Sequence, residues 1–124
     1  MPKKILVIDD EELIIRSLTK LLEREGYSVL VAKNGTDALA MSEEEAFDLI
    51  IADIRMPGIN GVDTISSIFK DLEQKQKNKT PVIFITGYAD KDIEERAQTL
   101  NPKAYIYKPF DIATLVNKVK EVLE

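Results

Sequence analysis

Residues Leu49 to Asp63 read LIIADIRMPGINGVD: four apolar residues, an acid, and then a loop-forming sequence. Leu49, Ile50, Ile51 and Ala52 have the length and branching of a strand buried on both faces, as in a parallel sheet. An ionisable side chain at the end of such a strand is costly unless solvent or a cation reaches it. Asp53 therefore marks a mouth and is the candidate reactive residue. Beyond it, Met56-Pro57-Gly58 has the composition of a turn in which proline fixes one φ, and Asn60-Gly61 that of a second turn before a helical pattern resumes.

The same pattern recurs on both sides. Upstream, Ile5-Leu6-Val7-Ile8 stops at Asp9-Asp10-Glu11-Glu12, after which Ile14, Leu18, Leu21 and Leu22 recur at helical spacing until Gly26. Val29 to Ala32 reads as a second strand, Asn34-Gly35 as a turn, and Ala38, Leu39 and Ala46 as a short helix with a weak apolar face. Downstream, Ile65, Ile68, Phe69 and Leu72 form a helical stripe that runs into a polar connector, Glu73 to Thr80. Pro81 opens a fourth strand, Val82 to Thr86, which Gly87 breaks. Ile93, Ala97 and Leu100 mark a helix ending before Asn101-Pro102, and Ala104 to Lys108 is the fifth strand. Asp111 suits the N-cap of a last helix that turns Ile112, Leu115, Val116, Val119 and Leu123 inward. Five strands alternating with five helices predict a doubly wound α/β domain, a parallel sheet covered on both faces with right-handed crossovers. Such folds bind ligands beyond the carboxyl ends of their strands. Asp9, Asp10, Asp53, Thr86 and Lys108 all fall at those ends.

A chain of 124 residues, 44% of them hydrophobic, predicts one domain over residues 1–124 with one core. It has no cysteine, no apolar run long enough to span a membrane, and no basic-apolar leader at Met1-Pro2-Lys3-Lys4, so the expectation is a cytoplasmic protein without disulfides. With 22 acidic and 17 basic residues the net charge is -5, which disfavours direct nucleic-acid binding. The absence of histidine removes the commonest general base and the commonest transition-metal ligand together.

Three carboxylates in one crevice repel one another, and a nearby ammonium and a divalent cation relieve that repulsion. Lys108 supplies the first. Oxygen-only ligands favour Mg²⁺, Mn²⁺ or Ca²⁺, of which Mg²⁺ is the usual partner where carboxylates meet a phosphate. The chemistry indicated is phosphoryl transfer, with the Asp53 carboxylate as nucleophile, the metal and Lys108 neutralising the phosphoryl oxygens, and the Thr86 hydroxyl donating to them. Taken singly, Thr86 is an ordinary strand residue and Lys108 an ordinary solvated charge. Their co-occurrence at neighbouring strand ends carries the reading.

The acidic pair after strand one, IIADIRMPGING around Asp53, Thr86-Gly87, and Tyr105 to Pro109 together resemble the receiver domain of two-component response regulators over essentially the whole chain. The resemblance implies a flavodoxin-like receiver fold with strand order 2-1-3-4-5. It implies a signalling phosphoacceptor that takes a phosphoryl group onto Asp53 from a partner histidine kinase or histidine phosphotransfer protein. Mg²⁺ would be held by Asp10 directly, with Asp9 helping, by Asp53, and by the main-chain carbonyl of Arg55. Thr86 and Lys108 would contact the phosphoryl group. Thr86 and Tyr105 would act as the switch, reporting through the fourth helix, fifth strand and fifth helix to an output domain or target protein. A cis peptide is expected between Lys108 and Pro109. One departure is the segment between Asp53 and Thr86, lengthened by Glu73 to Lys79.

Two readings from other classes are weaker. A phosphatase working through an aspartyl phosphate usually wants a second acid two residues after its nucleophile, and this chain has Arg55 there. A nucleotide or flavin binder needs a Gly-rich loop after strand one, where Asp9 to Glu12 would repel phosphate. Two surface expectations follow from the same residues. Ile15, beside the first helical stripe and near the site, is expected to be an exposed partner contact. Arg55 and Tyr88, two residues after Asp53 and two after Thr86, are expected to shield the rim from hydrolytic water while Gly87 leaves the donor's approach open, giving a long-lived phosphorylated form.

Overall fold

Apolar branched runs and polar loops alternate as the sequence dictates. The computed structural model of the chain describes residues 2–56, 58–87 and 90–124. Strands β1 (Lys4–Ile8), β2 (Ser28–Ala32), β3 (Leu49–Asp53), β4 (Val82–Thr86) and β5 (Ala104–Tyr107) alternate with helices α1 (Glu12–Arg24), α2 (Gly35–Glu44), α3 (Gly61–Gln74), α4 (Lys91–Gln98) and α5 (Ile112–Leu123). All pairings are parallel and the order is β2-β1-β3-β4-β5.

The period-2 alternation of side chains along each strand divides the core into two layers. On one face Leu6, Ile8, Ile50 and Phe84 pack with Ala38, Ile65, Ile68 and Ala97 of α2, α3 and α4. On the other, Ile5, Val7, Ile51, Ile83 and Ile85 pack with Leu18 and Leu22 of α1 and Leu115, Val116 and Val119 of α5. With both faces covered, β3 and β4 are buried along their whole length. Each fully buried Leu, Ile or Phe contributes about 1.5–3 kcal/mol by leaving water, which makes the central strands the rigid floor of the molecule. Among the described residues no helix is long and apolar enough to cross a membrane.

Several local expectations are corrected. Asn34 and Asn60, read as turn residues, are helix N-caps whose side-chain oxygens accept the backbone N–H of Asp37 and Asp63, each at 2.8 Å. Gly35 and Gly61 are accordingly the first helical residues. Helix α2 stops at Glu44 and leaves Ala46 exposed beyond it. Strand β5 stops at Tyr107, so Lys108 lies one residue past it, and the Lys108–Pro109 bond is cis as expected. Of the turn at Met56-Pro57-Gly58, Pro57 lies outside the described residues, while Gly58 takes φ +79, a conformation suited to glycine.

The reading of Ile15 as an exposed contact is overturned. Ile15 is only 8% exposed and belongs to the core with Leu18 and Leu22. A register one residue further along turns a helix by about 100°, and α1 uses Ile15, Leu18 and Leu22 as its inner stripe while Ile14 is only half-buried. The apolar residue left in solvent near the start of α1 is Leu13, at 79% exposure.

Candidate functional site

Register brings the sequence-predicted residues together. Ile8 pairs with Ala52, so Asp9 and Asp53 follow at adjacent strand ends, and Asp53 in turn pairs with Ile85, the residue before Thr86. The backbone continues these ladders: Asp9 N–H donates to the Ala32 carbonyl at 3.1 Å, and Lys108 N–H to the Thr86 carbonyl at 2.7 Å. Asp9 is fully buried, Asp53 is 3% exposed, and Thr86 is fully buried. Asp10 is exposed.

The side chains converge on Lys108. Its Nζ lies 3.0 Å from Asp53 Oδ2, 3.3 Å from Asp9 Oδ2 and 2.6 Å from Glu11 Oε1. The second carboxylate oxygens are held by the main chain: Glu11 N–H donates to Asp9 Oδ1 at 2.9 Å, and Arg55 N–H to Asp53 Oδ1 at 3.2 Å. Above these groups a cavity of about 200 Å³ is lined by Glu11, Asp53, Arg55, Gly87 and Lys108. Gly61 closes the site from below. A Cβ there would sit 2.2 Å from the Asp53 carbonyl oxygen, and its N–H donates to the Ile54 carbonyl at 2.8 Å, so only glycine lets α3 start this close to the end of β3.

Burial sets the electrostatics. It pushes the Asp53 carboxyl up to about 6, and the neighbouring Asp9 charge adds to the shift while Lys108 and the Arg55 N–H oppose it. Burial likewise raises the Asp9 carboxyl against the Glu11 N–H and Lys108. Burial alone would lower the Lys108 ammonium, but its hydrogen bonds to Glu11 and Asp53 and the charges of Asp53 and Asp9 prevail, and its pKa is raised. One ammonium thus serves three carboxylates, and the site remains short of positive charge.

Asp9, Asp10 and Asp53 each present a carboxylate oxygen within 4.8 Å of the others, a spacing that fits one metal ion. Among the described residues, Asp9 Oδ2 is buried without a hydrogen-bond partner; Lys108 lies within Coulombic reach at 3.3 Å but not in hydrogen-bond geometry. An orphaned buried carboxylate oxygen, an all-oxygen donor set and a deficit of positive charge suit a hard divalent cation.

The remaining predicted residues take the following places. Tyr105 is half-buried in the edge strand β5, its ring 6.3 Å from Phe84 and 5.4 Å from Tyr107 by centroids. Its hydroxyl is pushed up to about 12 by burial and by Tyr107, Glu94 and Asp90. Arg55 lines the cavity, and its rim companion Tyr88 lies outside the described residues. Sequence reading passed over two participants, Glu11 and Gly61. Nothing in the run Asp9-Asp10-Glu11-Glu12 marks which acid reaches Lys108, and Asn-Gly reads as a turn whether or not a strand end lies beneath it.

Comparison with known proteins places this arrangement. The family described as response regulator receiver domain matches residues 5–120. The chain is similar to the polar-differentiation response regulator DivK of Brucella anthropi, 32% identical over 123 residues that cover 99% of this chain and 98% of DivK. It is also similar to the transcriptional regulatory protein PdtaR of Mycobacterium tuberculosis, 32% identical over 121 residues that cover 97% of this chain and 56% of PdtaR. The chain spans about half the length of several curated relatives it matches. Among solved structures, the response regulator receiver domain protein (CheY-like) of Methanospirillum hungatei JF-1 aligns with a TM-score of 0.89 at 32% identity, covering 99% of this chain and 94% of that one.

Proposed function

The chain belongs to the response regulator receiver domain family, and from that membership we propose that residues 1–124 act as one cytoplasmic receiver domain whose Asp53 accepts a phosphoryl group from a histidine kinase or histidine phosphotransfer protein. One observation carries the reading: at the end of a central strand, a carboxylate that is 3% exposed is held 3.0 Å from Lys108 beside an Asp9 oxygen that has no hydrogen-bond partner among the described residues. A carboxylate kept out of water at such a cost is suited to chemistry rather than to solvation.

In this mechanism the ionised Asp53 carboxylate attacks phosphorus. An O–P bond forms as the donor's P–N bond breaks, and the leaving imidazole keeps the electron pair and regains a proton. Lys108 neutralises the phosphoryl oxygens and the Thr86 hydroxyl donates to them, while the Arg55 N–H holds the second Asp53 oxygen and so orients the carboxylate. Asp10, with Asp9 helping, Asp53 and the Arg55 carbonyl would hold Mg²⁺, which would supply positive charge against the same oxygens. Engagement of Thr86 biases Tyr105, which packs between Phe84 and Tyr107. The Tyr107 hydroxyl donates to Glu94 of α4 at 2.6 Å, which links β5 to α4 on the surface that would meet a target protein or output domain. The phosphatase alternative lacks its second acid at Arg55, and the nucleotide or flavin alternative meets the acidic turn after β1.

The test is incubation with a small acyl phosphate, with and without Mg²⁺, followed by intact mass. One phosphoryl group should be gained in Mg²⁺ and none by Asp53→Asn. No gain, or a gain retained in Asp53→Asn, contradicts the assignment, and steady turnover of phosphomonoesters would favour the phosphatase.

A further inference from the structure

Glu11 occupies the N-cap position of α1 yet makes no side-chain capping bond. Caps normally use a short side chain to satisfy the first free N–H groups of the helix. Glu11 instead extends away from its own helix and accepts from Lys108 Nζ at 2.6 Å, across 97 residues of sequence. That is the shortest of the three contacts Lys108 makes to carboxylates, ahead of Asp53 at 3.0 Å and Asp9 at 3.3 Å. Glu11 also lines the cavity above Asp53. Its side chain is 55% exposed, whereas that of Lys108 is 11% exposed, so the contact anchors a nearly buried cation to a carboxylate at the rim.

We propose that Glu11 is a positioning residue that tethers Lys108 across the mouth of the site in the unphosphorylated protein, and that loading of Asp53 proceeds by exchange of Lys108 from Glu11 to the incoming phosphoryl oxygens. The inference rests on the reading of Asp53 as phosphoacceptor. The ammonium has only three donors; Glu11 and Asp53 take two of them, and the third faces Asp9 at 3.3 Å. A phosphoryl group on Asp53 adds further acceptors at the same place, and Glu11, the most exposed of the three carboxylates, is the one that can be released to water at least cost. The tether holds Lys108 ready at the mouth and is also a competitor that must let go. The backbone of Glu11 has a separate task, its N–H fixing Asp9 Oδ1 at 2.9 Å, and substitutions that keep the main chain leave that bond in place.

Loading of Asp53 by a small acyl phosphate in saturating Mg²⁺ is measured for the wild type, Glu11→Gln, Glu11→Asp and Glu12→Gln, together with each protein's Mg²⁺ affinity. Glu11→Gln removes the charge and weakens the tether to a neutral amide oxygen that can still accept from Lys108. Glu11→Asp keeps the charge and shortens the reach by one methylene. Glu12→Gln makes the same charge change one residue away, where the partner is Lys33. Both Glu11 variants should load about two- to fivefold faster, the scale of a half-exposed ion pair, with Mg²⁺ affinity within about twofold of wild type and Glu12→Gln unchanged. Faster loading in Glu11→Gln and Glu12→Gln but not in Glu11→Asp would reduce the effect to general charge and overturn the tether. Unchanged rates in both Glu11 variants would also overturn it, and a large loss of Mg²⁺ affinity in Glu11→Gln would make Glu11 a metal ligand instead. Failure of the wild type itself to gain a phosphoryl group would overturn the acceptor reading and the tether with it.

Discussion

At Asp53 burial and charge oppose each other, and stability should show it. Its carboxyl titrates near 6 in the folded chain against an ordinary value of 3.8. A raised acid pKa means that the folded state binds the proton more tightly than the unfolded chain, so this group's contribution is favourable below about pH 4 and is lost as pH rises to about 6. In metal-free buffer Asp53→Asn should therefore be more stable than wild type at pH 7.5 by roughly 1–3 kcal/mol. Denaturant melts should show the gap closing towards pH 4, and a gap that is absent at pH 7.5 or widens as pH falls contradicts the electrostatics. Asp53, Thr86 and Lys108 were legible because each stands where an apolar run stops. Ile15 was not, because Ile14 and Ile15 are both apolar and periodicity alone could not choose which one faces the sheet. Glu11 escaped notice because its partner is 97 residues away, and only the fold brings the two together.

Among the elements, the joint between β3 and α3 carries the most. Strand β3 is paired on both sides, with Asp53 itself opposite Ile85 of β4, and α3 begins in contact with it through Gly61. Gly61→Ala would place a Cβ 2.2 Å from the Asp53 carbonyl oxygen, so either helix or strand end must shift. The expected cost is about 1–3 kcal/mol of stability, with loading slowed as the carboxylate loses its aim. Gly35→Ala meets Thr64 Oγ1 at 2.3 Å and Ile59 Cβ at 3.1 Å, a clash that costs stability but does not touch the Asp53 backbone, so loading should be less affected. Thermal melts and loading rates of the two variants check this, and equal effects on loading would show that the joint does not orient Asp53. The strands and most helices were readable from their periods. The Asn-Gly pairs were not, since asparagine suits a turn and an N-cap equally well, and only the N–H two or three residues on tells them apart.

Across the whole molecule, two helical layers lock a five-stranded sheet so that β1, β3, β4 and the residue after β5 deliver their ends to one crevice. The alternation of strands and helices predicted the layers, while strand order came only with the resemblance to receiver domains, because periodicity says nothing about which strands are neighbours. The crevice should bind Mg²⁺ without phosphate. Asp10→Ala should weaken binding at least about tenfold, since a carboxylate in the coordination set is lost. Asp37→Ala, on exposed α2 and engaged with its own N-cap Asn34, should leave binding near wild type; isothermal titration giving equal losses would contradict the three-carboxylate site. The acceptor itself can be located chemically. Borohydride reduces an aspartyl phosphate to homoserine, so protein loaded by a small acyl phosphate in Mg²⁺, then reduced, digested and sequenced by mass spectrometry, should carry homoserine at position 53 and nowhere else. Homoserine at Asp9 or Asp10, or at no position in a protein that has gained a phosphoryl group, would contradict the assignment of Asp53 as the phosphoacceptor.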